Sequence, residues 1–441
     1  MDQKHFESLY PADARSSEIE RIAGFIKEGS SCQLLGLPGT GRSTLLSLLT
    51  NNKQVRAKHF GDQQKHVHFV LANFSEVRNR PLFDVMKFLF LTLTESLRER
   101  KLLEENKAVG DIFREHLKFQ DELVLFQGFK EAIDYLALEK KLSVVFLFDR
   151  FEEYIPTVTN EFFTNLRVLR NRAKYRFVVV FSLYRPLEKF VDPSILADYY
   201  EFVSGHIVYL SLYDKITTDF RISYIEKITH KKVPSKVRDE IIMLTGGVGR
   251  LVKLSVEAIL AHENKEKELS KFLLKQKPML VALQEIWLSL SPAEQADFRE
   301  GHFDKEIAGY LEEMGLLAGQ KIQIPLLVAY SKTLDAKPQA SSQKISYDDN
   351  TNTIKKGETV LSDQLTAFEF RLLRYLLRHA DRIVERDELI TVVWEGNKST
   401  AGITDQAVDQ LIFRLRRKIE EDANNPQHLQ TVKGRGFKFV A

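Results

Sequence analysis

The chain nearly lacks cysteine. Cys32 is the single one in 441 residues, which excludes an internal disulfide and a cysteine-based metal cluster. Long apolar runs are missing as well: stretches such as Val144–Phe148 fall far short of the about 20 residues that a membrane-spanning helix needs. The N-terminus carries no apolar stretch of the signal-peptide kind. Nor is there a strong excess of charge of one sign. A formal net charge of +3 means that affinity for a nucleic acid has to come from local basic clusters. These absences predict a cytoplasmic protein with no membrane partner. What is present is apolar bulk: 44% hydrophobic content over this length is enough for several cores, roughly two to four domains.

The most legible segment is the last one. Leu365–Leu373 has apolar residues at helical spacing, and the pattern continues through Arg386–Leu389 to Trp394. From Asp405 to Glu420, residues Val408, Leu411, Ile412, Leu415 and Ile419 fall on one stripe that has to face a core. The opposite face carries Gln406, Gln410, Phe413, Arg414 and Arg417. Amides and guanidinium forks can reach base edges, and an aromatic can lie against a thymine methyl, so this reads as a recognition helix for double-stranded DNA. Arg416 and Lys418 complete the basic cluster and are assigned to the same surface. Thr404 or Asp405 supplies an N-cap, and the helix N-terminus can itself hold a phosphate. Lys433-Gly434-Arg435-Gly436 predicts a tight hairpin turn that presents Lys433 and Arg435 to a neighbouring groove.

This segment resembles the OmpR/PhoB-type output domain of bacterial response regulators. The likeness rests on Leu365-Thr366, Phe368-Glu369, Leu372-Leu373, Arg386, Leu389, Trp394, Val408-Asp409, Leu415 to Lys418, Thr431-Val432, Gly434 and Gly436. It implies a winged-helix DNA-binding domain over 345–441, with the loop Glu395–Thr404 in the place that some members use against RNA polymerase. Leu411 and Phe413 depart from the more polar residues usual there, so no target sequence carries over. No receiver domain precedes the segment in this chain, so phosphorelay control is not expected.

A second block is Gln33 to Leu46, where a short buried strand leads through a glycine-rich turn into a helix. That context gives meaning to Gly36-Leu37-Pro38-Gly39-Thr40-Gly41-Arg42-Ser43-Thr44 as a phosphate-binding loop. Its glycines let backbone amides wrap a phosphate chain at the helix N-terminus, and the Ser43 hydroxyl can ligate magnesium. Arg42 stands where a lysine is usual; it keeps the charge but spreads it over a larger planar fork.

The buried strand pattern Leu142–Phe148 ends in Asp149, placed to join a magnesium shell, with Glu152 or Glu153 close enough in sequence to polarise an attacking water. A third strand, Phe177–Ser182, leads to Arg185, which is expected at the terminal phosphate. Val67–Ala72 fits the same open α/β sheet. Downstream, a helical lid is predicted, with a turn at Thr245–Arg250.

The region from Phe6 to Leu269 resembles the STAND-type or origin-initiator-type AAA+ ATPases, through Gly36–Thr44, Asp149, Ser182–Arg185, Gly246-Gly247 and Arg250. The resemblance implies ATP and ADP with Mg2+ as ligands, Pro38, Gly39, Thr40, Gly41 and Arg250 around the nucleotide, and nucleotide-dependent homo-oligomers. Gly249 stands where STAND proteins often place an adenine-contacting proline.

The expected architecture is therefore an α/β P-loop core over 1–205, a helical lid over 206–270, a small winged-helix-like packing domain over 277–332, a polar linker over 333–344, and the C-terminal winged helix. The expected function is a nucleotide-dependent DNA-binding transcriptional regulator. Two alternatives stay open: an initiator-like or DNA-remodelling ATPase that recruits other machinery, and a nucleotide-binding scaffold without hydrolysis, since Arg42 makes any ATPase activity weak.

Overall fold

A computed structural model describes residues 5–261, 268–303, 305–336, 345–349, 351–357, 359–394, 405–420, 426–432 and 435–440. The chain forms two compact units, Met1–Leu334 and Asp335–Ala441.

The first unit is built on five parallel strands: β1 (Cys32–Leu35), β2 (Val67–Asn73), β3 (Ser143–Asp149), β4 (Phe177–Leu183) and β5 (Ile207–Tyr209), in the spatial order β2-β3-β4-β1-β5. Their nearly unbroken apolar runs follow from burial on both faces. Side chains alternate between the faces, so Val145, Leu147, Val178 and Val180 enter one core with Leu45 and Leu46, while Phe146, Phe148, Val179 and Phe181 enter the other. This is an open parallel α/β fold of P-loop type, with the glycine-rich loop following its β1 strand. The glycine-rich loop leaves the C-terminal end of β1, and Asp149 ends β3 on the same sheet edge, where open α/β sheets hold their ligands.

Two features differ from the sequence reading. β5 pairs with β1 through Gln33↔Ile207, Leu34↔Val208 and Leu35↔Tyr209, so the sheet runs past the boundary expected at 205. Three residues carry too little periodicity to announce a strand; only their pairing does. Between β2 and β3 stand helices Leu82–Glu99, Leu103–Leu117 and Glu122–Asp134; the first and last pack on the sheet through Leu89, Phe90, Phe129 and Ile133, and the middle one packs against both of them.

The lid consists of helices Lys215–Thr229, Ser235–Thr245 and Gly249–Ala261. The small module that follows has helices Lys277–Leu288, Pro292–Glu300 and Lys305–Glu313, the hairpin β6–β7 (Leu317–Ala318 and Lys321–Ile322), and helix Pro325–Ala336. It shares one core with lid and sheet, in which Val248 and Leu251 join Leu283, Trp287, Phe298 and Leu327. Gly246 shows how close the layers come: it has φ +61°, and a Cβ there would lie 2.4 Å from the Gln323 carbonyl oxygen. Residues 333–336 continue the last helix rather than open a linker; the remainder of that expected linker, 337–344, lies outside the described residues.

The second unit opens with an antiparallel sheet, β8 (Ile345–Asp348), β9 (Thr353–Lys356) and β10 (Thr359–Val360). Helices Ala367–Arg378, Arg386–Val393 and Asp405–Ile419 follow, with a second sheet ordered β11-β13-β12 (Ile383–Val384, Gly436–Phe439, Leu429–Val432). Thr366 and Glu369 start the first of these helices with a reciprocal capping box. Among the described residues, no helix is long and apolar enough to cross a membrane.

Candidate nucleotide site and DNA-facing surface

The loop after β1 turns at Gly39 and Gly41, whose φ values of +85° and +108° suit glycine, and delivers the chain into helix Arg42–Asn51. A cavity of about 850 Å³ opens there, lined by Pro38 to Thr44, Asp149, Glu152, Tyr184, Gly249 and Arg250, among others. Gly36 is not in the lining. Its role is steric, since a Cβ on it would meet Thr40 Oγ1 at 2.8 Å and Leu210 Cβ at 3.0 Å. The Thr40 hydroxyl donates to the Leu37 carbonyl at 2.8 Å and braces the loop itself. The Arg250 amide donates to Gly39 O at 3.0 Å and pins the lid to the loop, while its guanidinium pairs with Glu285.

Asp149 is buried and accepts from Ser182 Oγ at 3.4 Å. Ser43 lines the same cavity, so the two magnesium candidates share one site. The Arg42 guanidinium donates through Nη2 to Glu152 Oε1 at 2.7 Å, inside the cavity wall. Arg42 Nη1 and Glu152 Oε2 are buried without a hydrogen-bond partner among the described residues. That orphaned donor, beside a glycine cradle at a helix N-terminus, fits a phosphate group. Glu153 is taken up by Arg78, whose Nε lies at 2.8 Å, and by Arg150. Burial, and then the Glu152 charge, push the Tyr184 phenol above its ordinary range.

Two catalytic expectations need correction. Arg185 does not line the cavity. It donates to the Ser289 carbonyl at 2.8 Å and to Glu294 Oε1 at 3.1 Å, and stacks over Tyr310 at 5.5 Å. Glu294, held in the capping box of helix Pro292–Glu300, is a buried anion within reach, and it captures the guanidinium. Burial disfavours the Arg185 charge, but Glu294 outweighs this and shifts the group above its ordinary value. Glu152, expected to orient water, is instead engaged by Arg42.

Four cavity cations escaped the sequence reading: Arg15, Arg150, Arg221 and Lys253. Arg15 sits at φ +54° before helix Ser16–Lys27 and donates to Thr40 O at 2.9 Å, so it supports the phosphate loop from behind. No local motif marks it.

In the second unit, Val408, Leu411, Ile412, Leu415 and Ile419 are buried, and Gln410, Phe413, Arg414 and Arg417 are exposed. Phe413 is 49% exposed beside a shallow groove that it forms with Asp409, Gln410 and Arg414. Arg386 reaches Asp409 at 2.7 Å. Two residues assigned to DNA point elsewhere. Arg416 donates to Leu429 O and Thr431 Oγ1, both at 2.8 Å, joining the helix to β12; burial lowers its pKa from the ordinary value. Lys418 bonds Glu369 at 2.6 Å and Gln364 O at 2.8 Å. Arg435 is exposed at the β12–β13 turn. The side chain of Gln406, the cap at Thr404, Lys433 and the loop 395–404 lie outside the described residues.

Residues 362–439 match the family described as "Transcriptional regulatory protein, C terminal". That part of the C-terminal unit is an OmpR/PhoB-type domain. The chain is 42% identical over 92 residues to Protein PetR of Rhodobacter capsulatus, covering 20% of this chain and 39% of that protein. It spans less than half the length of the curated relatives it matches. Among solved structures, the RstA DNA-binding domain of Klebsiella pneumoniae in complex with the RstA box is similar at 29% identity and TM-score 0.19, over 22% of this chain and 90% of that one. Cdc6p from Pyrobaculum aerophilum is similar at 14% identity and TM-score 0.37, over 79% and 91%. The match spans helix Asp405–Ile419 and strands β12 and β13, and leaves β8–β10 outside it.

Proposed function

We propose that this chain is a nucleotide-dependent transcriptional regulator, in which the P-loop unit binds ATP or ADP with Mg2+ and governs the binding of double-stranded DNA by the C-terminal domain. The observation that carries the reading is the outward face Gln410, Phe413, Arg414 and Arg417 on a domain of regulator type. The glycine cradle, Arg42 Nη1 and the Ser43–Asp149 pair support the nucleotide half. Magnesium, held by Ser43 and Asp149, would neutralise phosphate charge. Arg435 extends the DNA surface; by resemblance Gln406 and Lys433 are assigned to the same DNA, and the loop 395–404 is a candidate contact for RNA polymerase.

A ligand can shift a conformational equilibrium only by its differential affinity for the two states. ATP is therefore expected to change self-association and to raise apparent DNA affinity relative to ADP. Mass and DNA binding of the full chain, measured together in ATP, in ADP and without nucleotide, test this; three identical curves would reduce the first unit to a scaffold.

A further inference from the structure

The Arg42–Glu152 pair places an anion of the protein's own on the guanidinium that stands in the phosphate-binding loop. Glu152 is held there by construction. Arg150 adopts φ +55° directly after β3, and Phe151 is fully buried against Phe74, Phe162 and Phe181 at 4.9, 5.6 and 5.0 Å, which fixes the short turn Phe151–Glu153. The two side chains are only 11% and 13% exposed, so water screens their attraction weakly. Each nevertheless keeps one buried polar atom unsatisfied, Nη1 on Arg42 and Oε2 on Glu152. A buried pair with half its hydrogen-bonding capacity unused is poised to take another partner. Arginine suits this, because its fork can hold Glu152 with one nitrogen and offer the other.

We infer that Glu152 is a specificity-determining counter-charge rather than a water-orienting base: it leaves Arg42 Nη1 free to donate but offsets the guanidinium charge that a terminal phosphate would meet, and so sets the ATP-to-ADP preference of the site. The inference rests on the nucleotide reading above. Its sign follows from charge, since ATP carries more negative charge than ADP and meets the larger repulsion from the carboxylate.

Glu152→Gln keeps an oxygen that can accept from Arg42 and removes the charge. ATP affinity of the full chain, measured by calorimetry, should then rise by about three- to tenfold, with ADP affinity rising less. Glu152→Asp, which keeps the charge, should not widen the ratio, and Arg42→Ala should weaken ATP more than ADP. Melting of each variant without nucleotide checks that it folds. An unchanged or narrowed ATP-to-ADP ratio in folded Glu152→Gln, or lost turnover at unchanged affinities, overturns the inference while leaving nucleotide binding intact. Absence of ATP and ADP binding in the unmodified protein would overturn the nucleotide reading and this inference with it.

Discussion

Lys418 shows how a single residue changes meaning once its neighbour is known. In the sequence it is one of a run of basic residues after Leu415; in the fold its ammonium is bonded to Glu369, which is buried in its own capping box. Burial alone would push the Glu369 carboxyl up, but Lys418 and the Thr366 amide outweigh that and hold it below the ordinary carboxylate range. A lowered folded pKa contributes stability that is complete above the unfolded value and is lost as pH falls through the folded one. Lys418→Met should therefore destabilise the C-terminal domain by about 1–3 kcal/mol at neutral pH, discounted for the partial exposure of the lysine, and by progressively less on acidification below the ordinary carboxylate range. Amide exchange in helix Ala367–Arg378, followed against pH, reads this directly. Equal destabilisation at pH 7 and at a pH below the folded value would remove the charge from the explanation.

The elements of the C-terminal domain separate surface work from scaffolding. On helix Asp405–Ile419, Arg417 faces outward while Arg416, one residue earlier, ties the helix to β12. Arg417→Ala is expected to weaken specific DNA binding by about 1–3 kcal/mol with an unchanged melting temperature. Arg416→Ala should lower stability first, because it leaves the Leu429 carbonyl without that donor. Gel-shift titrations at several salt concentrations, beside thermal melts, distinguish the two; an unstable Arg417→Ala or a fully stable Arg416→Ala would reverse the assignment. Gly436 carries a similar division. At φ +132° its Cα passes so close to β11 that a Cβ would lie 2.1 Å from the Val384 carbonyl oxygen. The glycine after the turn thus serves the closure of the sheet, while exposed Arg435 is left to the surface.

At the scale of the first unit, the Arg185–Glu294 pair couples the sheet edge to the small module. Arg185 follows β4, Glu294 belongs to helix Pro292–Glu300, and the Tyr310 hydroxyl adds a bond to Tyr184 O at 3.0 Å. Removing one partner of a buried pair leaves the other uncompensated and typically costs about 3–5 kcal/mol. Arg185→Ala should accordingly lower the melting temperature of the first unit by several degrees while changing nucleotide affinity by less than about twofold, a discrimination that calorimetry with and without ADP can make. A large loss of nucleotide affinity at unchanged stability would return Arg185 to the phosphate.

Local pattern determined much of this protein. The Gly36–Thr44 loop, the strand ending at Asp149 and the stripe Val408–Ile419 are written in contiguous residues, because glycine conformation, strand burial and helical periodicity are short-range properties. The P-loop α/β class and the regulator-type domain were legible for that reason. Only the tertiary structure decided which charges face a ligand. Arg42 meeting Glu152, Arg185 meeting Glu294 and Lys418 meeting Glu369 join residues 110, 109 and 49 positions apart. β5 took its place beside β1 in the same way, through partners that no local window contains. An exposed cation and a paired one look alike in a sequence, since the difference between them is the position of a distant carboxylate, and that position is set by packing.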